Sequence, residues 1–82
     1  MTVREFTSRV WYSQKIIVIK WKNFDYINKS IEVTDKYFET IKEQAEYVGT
    51  PHKLRSVKYD NINEMLIDSY GVMNNVLIIE VH

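Results

Sequence analysis

The chain contains no cysteine, which excludes a disulfide framework, thiolate catalysis and cysteine-ligated metal together. Two glycines and one proline in 82 residues leave little material for the glycine-rich turns that cradle phosphates. Gly49 and Gly71 both follow stretches of helical periodicity, where a phosphate loop would open a helix. Long apolar runs are missing too. Ile16–Ile19 and Val76–Ile79 are the longest, at four residues each, against about 20 needed to cross a bilayer. Arg4, Glu5 and Arg9 interrupt the region where a signal peptide needs an apolar core. These absences lead us to expect a cytoplasmic, unexported protein with no membrane partner. Excess charge is absent as well: 11 basic and 11 acidic side chains balance. Residues 1–36 hold seven basic and four acidic groups and residues 37–82 hold four and seven, a dipole too mild to specify a polyanionic partner.

Catalytic groups are equally scarce. Only His52 and His82 offer an imidazole base, one in a loop after Pro51 and the other at the last position, and neither has a carboxylate three or four residues away. Acid–base use of Glu39 and Glu43 is outweighed by the plain reading of a solvated helix face. We therefore expect no enzyme, no cofactor and no metal. A chain this short folds as one domain with a thin core.

What is present begins with Lys15-Ile-Ile-Val-Ile-Lys-Trp-Lys22. Ile17, Ile19 and Trp21 alternate on one face of a strand, with Ile16 and Val18 on the other, and a strand apolar on both faces belongs inside a sheet. The matching segment is Val76–His82, with Leu77, Ile79 and Val81 alternating. These two predict the central pair. Thr2 and Glu5 form a capping box, and Val3, Phe6 and Val10 then predict a short helix near 3–11. A strand at 10–12 competes with it. A second strand over about 26–33 would pair with 15–22 as a hairpin. Phe38, Ile41, Ala45 and Val48 predict the main helix, about 35–48, ended by Gly49-Thr50-Pro51. On its outer side Lys42 and Glu46 are spaced to pair. Leu54–Tyr59 predicts a third strand. Asn61 and Glu64, with Ile62, Met65, Leu66 and Tyr70, predict a helix near 62–70, and Asn74-Asn75 turns the chain into the last strand. The fold class is α+β: a small, mostly antiparallel sheet packed against one main helix. Its expected core is Phe6, Val10, Ile17, Ile19, Phe38, Ile41, Ala45, Val57, Leu66, Leu77 and Ile79.

Two functional surfaces follow. Trp11, Tyr12, Phe24, Tyr26, Tyr37, Tyr47 and Tyr70 exceed what so small a core readily hides, and such rings are typical interface anchors; the plainer reading is that half of them sit at the rim of the core. A larger protein partner is thus expected to contact Trp11, Tyr12, Trp21, Lys22, Phe24, Tyr26 and Lys29. The same lysine and aromatic mixture, from Lys15 to Lys29, is the alternative nucleic-acid signal, because cations track phosphates and rings stack on unpaired bases. Against it, Trp21 continues a core face and lysines also guard sheet edges. An acidic surface of Glu39, Glu43 and Glu46 is a third candidate, as an imitation of phosphates facing a basic channel. Lys42 interrupts it. A homodimer remains open.

The opening Thr2-Val3-Arg4-Glu5-Phe6, the isoleucine, lysine, asparagine and tyrosine bias and the ending Asn75-Val-Leu-Ile-Ile-Glu-Val81 resemble many short uncharacterised proteins of phages and mobile elements in low-GC Gram-positive bacteria. The resemblance covers both ends and defines no functional motif. It implies binding to a host or phage protein, with inhibition of host defence systems such as CRISPR nucleases among the roles.

Overall fold

The two isoleucine-rich segments do form the centre of a sheet, and they run parallel. The computed structural model describes residues 1–20 and 35–82. In chain order the elements are α1 (Val3–Thr7), β1 (Ile16–Lys20), α2 (Asp35–Gln44), β2 (Tyr47–Gly49), α3 (Pro51–Leu54), a 3₁₀ turn (Val57–Tyr59), α4 (Asp60–Asn63), β3 (Ile67–Met73) and β4 (Val76–Val81). The sheet order is β2-β1-β4-β3. β1 and β4 pair in parallel from Ile16↔Leu77 to Lys20↔Val81, while β2 on β1 and β3 on β4 are antiparallel. The sheet is therefore mixed, antiparallel at both margins. Its parallel centre suits strands that bury both faces.

Those faces carry two separate cores. Ile16 and Val18 of β1 join Leu77, Ile79 and Val81 of β4 with Val3, Tyr47 and Leu54. Ile17 and Ile19 join Val76, Ile78 and Ile41 on the other side. A fully buried aliphatic side chain is worth roughly 1.5–3 kcal/mol, and these two strands supply most of the buried apolar side chains among the described residues. α2 lies over the second face, with Phe38 and Ala45 beside Ile41. The first face is covered by α1, α3 and α4, each of four or five residues. The single main helix expected from the sequence gives way to short helices spread over both faces.

The capping box is present as expected. The Thr2 hydroxyl accepts from the Glu5 amide at 3.2 Å, and the Thr2 amide donates to Glu5 Oε1 at 3.0 Å. This hydrogen bonding, led by the Thr2 amide, lowers the Glu5 carboxyl below its ordinary pKa. The helix stops at Thr7, short of residue 11. Further expectations are corrected. Residues 45–48 do not extend α2, because Tyr47–Gly49 pairs with Val18–Ile16 as an edge strand; Val48 is consequently exposed. Gly49 is not a left-handed helix end, as no glycine among the described residues has a positive φ.

Leu54–Tyr59 is not a strand. Thr50 caps α3 by accepting from the Lys53 amide, with Pro51 in its first turn, where the missing N–H costs nothing. The chain then coils through the 3₁₀ turn into α4. Buried Asn63 holds these pieces together, its Nδ2 donating to the Leu54 carbonyl at 2.8 Å and the Tyr59 carbonyl at 3.1 Å. Residues 62–70 are not a helix either: α4 ends at Asn63, and β3 begins at Ile67. Asn74 and Asn75 make the turn, both left-handed at φ 52° and 63°. Of the expected core, Val57 and Leu66 are exposed, and Phe6, Val10, Phe38 and Ala45 are half-buried at its rim. The expected strand over 26–33 and its hairpin lie outside the described residues.

Candidate interaction surface

Once α1 ends, backbone hydrogen bonds fold the chain into successive turns: the Val10 amide donates to the Thr7 carbonyl at 3.1 Å and the Gln14 amide to the Trp11 carbonyl at 2.9 Å. Val10 turns inward against the first core. The next two rings turn outward. Trp11 is 68 % and Tyr12 60 % exposed, with ring centroids 5.0 Å apart and planes at 42°. The His52 amide donates to the Tyr12 carbonyl at 3.3 Å, and the His52 imidazole stands edge-on to the Tyr12 ring at 6.4 Å. A backbone fixed by main-chain bonds loses little entropy when a partner covers the rings it carries.

Two lysines lie at the His52 end of this ridge. His52, Lys53, Ser56, Lys58 and Tyr59 line an adjoining depression, and the Lys58 ammonium sits 5.1 Å from the centre of the Tyr59 ring. Lys15, Lys53, Arg55 and Lys58 have no carboxylate partner among the described residues. Of the residues expected to contact a partner, Trp11 and Tyr12 are thus exposed and adjacent. Trp21, Lys22, Phe24, Tyr26 and Lys29 lie outside the described residues. The sequence suggests a loop for His52, which instead lies in α3; nothing local signals its place beside Tyr12, forty positions away.

The acidic candidates are exposed but largely compensated. Glu39 pairs with Lys42 at 2.7 Å and Glu46 faces Lys20 at 3.9 Å, so the Lys42–Glu46 pairing expected from spacing is replaced by these two. Glu43 alone of the three has no ion-pair partner among the described residues.

At the far end of the sheet, His82 Nδ1 lies 2.5 Å from Asp68 Oδ1 and the His82 amide donates to the Leu66 carbonyl. This ties the last residue down. No group of three or more metal-ligating side chains occurs among the described residues. No helix among them is long and apolar enough to cross a membrane. Comparison with protein families, curated proteins and solved structures finds no match to this chain.

Proposed function

We propose that this is a cytoplasmic, non-enzymatic protein that acts by occupying a surface of a larger protein partner. The observation that carries the reading is the Trp11–Tyr12 pair, two large rings held side by side in solvent by a turn and by the His52 amide. Tryptophan and tyrosine dominate interface hot spots because they bury much area at low entropic cost. The unpaired cations beside them favour a partner face rich in carboxylates. The likeness of the chain's two ends to short phage and mobile-element proteins supports an inhibitory role toward a host defence protein, a CRISPR nuclease being one such target.

The test is an affinity pull-down from a native host, followed by Trp11→Ala and Tyr12→Ala. Each variant is expected to weaken capture of a stoichiometric partner by about tenfold or more, the range of a 1–2 kcal/mol hot spot. Undiminished capture by both would remove this surface from the interface.

The same exposed rings, with Lys53 and Lys58 lining the depression at His52, favour a second reading, single-stranded nucleic-acid binding by stacking and phosphate contact. It predicts affinity that falls steeply between about 50 and 200 mM salt. Absence of binding to an unstructured oligonucleotide at low salt would exclude it.

A further inference from the structure

A second concavity, distinct from the aromatic ridge, opens where four segments converge at the start of β1. Lys15 enters it from the residue before β1, Lys42 from the last turn of α2, Lys53 from α3, and Asn74 and Asn75 from the turn before β4. Its volume is about 720 Å³, within the roughly 300–1,000 Å³ typical of small-ligand pockets. The chain has as many acidic as basic residues, yet the described residues lining this pocket include three lysines and no carboxylate. Phe38 and Val48 contribute apolar wall.

The lysines differ in what already holds them. Lys42 is engaged by Glu39 at 2.7 Å and lies 5.2 Å from the Phe38 ring centre. Lys15 and Lys53 are exposed and have no carboxylate among the described residues. Two uncompensated ammonium groups, a third on a surface ion pair that an incoming anion can share, and two side-chain amides make a polar rim suited to phosphate oxygens. The apolar wall suits a flat organic body.

We propose that this pocket binds a small phosphorylated molecule of the nucleotide class, its phosphates held by Lys15 and Lys53 and its ring against Phe38 and Val48. The pocket shares Lys53 with the depression beside the aromatic ridge, but the proposal does not rest on the protein-binding reading.

ATP, adenosine and inorganic pyrophosphate are titrated into the purified chain at low salt, with chemical shifts or calorimetry as the readout. ATP is expected to bind saturably. Lys15→Ala and Lys53→Ala are each expected to weaken it by about tenfold, the size of one lost charge-assisted contact. Both lysines are exposed, so an unchanged thermal melt verifies that the variants fold. Adenosine is expected to bind far more weakly than ATP. No saturable ATP binding at millimolar concentration, or ATP binding indifferent to both lysine changes, overturns the proposal. Pyrophosphate binding as tight as ATP overturns its nucleotide part.

Discussion

The Tyr47 ring lies across Gly49, so that a Cβ on residue 49 would stand 2.5 Å from the Tyr47 hydroxyl oxygen and 2.8 Å from its Cζ. The hydroxyl reaches past the glycine to donate to the Thr50 carbonyl at 2.7 Å, and the ring packs edge-on against Tyr59 at 4.8 Å. Space, not backbone conformation, requires glycine here. Gly49→Ala should displace Tyr47 from the first core and lower stability by about 1–3 kcal/mol, read as a lower midpoint of urea denaturation. Tyr47→Phe keeps the ring and loses one hydrogen bond, at about 1 kcal/mol. An unaltered midpoint for Gly49→Ala would show that the ring is not held in this place.

Tyr47 also sets a limit at high pH. Burial raises its phenol above the ordinary value of 10.0, and Tyr59 acts in the same direction. For a group whose pKa is higher folded than unfolded, the associated stability is complete below the unfolded value and is lost as pH rises through the folded one. The contribution of Tyr47 should therefore be constant up to about pH 10 and decline above it. Denaturation midpoints of wild type and Tyr47→Phe at about pH 8 and about pH 11 isolate it: the variant should lose less stability across that interval. Equal losses would assign the alkaline decline to other groups.

The Asn74-Asn75 turn offers a gain. Two left-handed residues closing the antiparallel pair Met73↔Val76 form the two-residue connection whose twist matches a hairpin, and glycine is favoured at its second position. Asn75→Gly should raise stability by about 0.5–1 kcal/mol, and Asn75→Val should lower it by about 1–2 kcal/mol, because a β-branched side chain collides with its own backbone at positive φ. The carbonyl of Asn75, which accepts from Gln14 Nε2 at 2.8 Å, belongs to the main chain and survives both changes. A loss of stability in the glycine variant would contradict the turn geometry.

That turn also marks where sequence reasoning stopped short. Asn74-Asn75 was legible as a turn, and a two-residue turn of this kind needs a strand on each side, yet Tyr70 fell at helical spacing from Ile62 and Leu66 and drew the preceding segment into a helix. Hydrogen bonding to β4 overrode that periodicity. Tyr47–Gly49 was lost in the same way: Ala45 and Val48 continue the stripe of Phe38 and Ile41, but the edge of β1 pairs with Tyr47–Gly49. Thr50-Pro51 reads equally as a helix stop and a helix start. By contrast, the capping box and both buried strands depended only on neighbours in sequence, and both were legible. The candidate surface divides along the same line, since exposed Trp11 and Tyr12 follow a locally coded helix, whereas His52 and Lys53 reach the ridge and the pocket through tertiary contacts alone.

Glu80 is the clearest place where this fold carries a cost. It stands on β4 between Ile19 of β1 and Ser69 of β3 in register, on the same strand face as Val76 and Ile78. It is only 8 % exposed, and its Oε2 has no hydrogen-bond partner among the described residues. A carboxylate oxygen withdrawn from water forfeits hydration that no donor among the described residues restores. Glu80→Leu, close to it in volume, should raise stability by about 1–3 kcal/mol, as replacements of buried charge by packed apolar side chains do. Glu80→Gln separates charge from shape: it keeps the side-chain length and removes the charge, so it should recover part of the gain. Urea denaturation of the three proteins gives the order Leu above Gln above Glu. If both variants fall below wild type, the carboxylate is a stabilising group and the desolvation argument fails. If the leucine variant gains stability while partner capture or ATP binding declines, Glu80 serves one of those interactions at the expense of the fold.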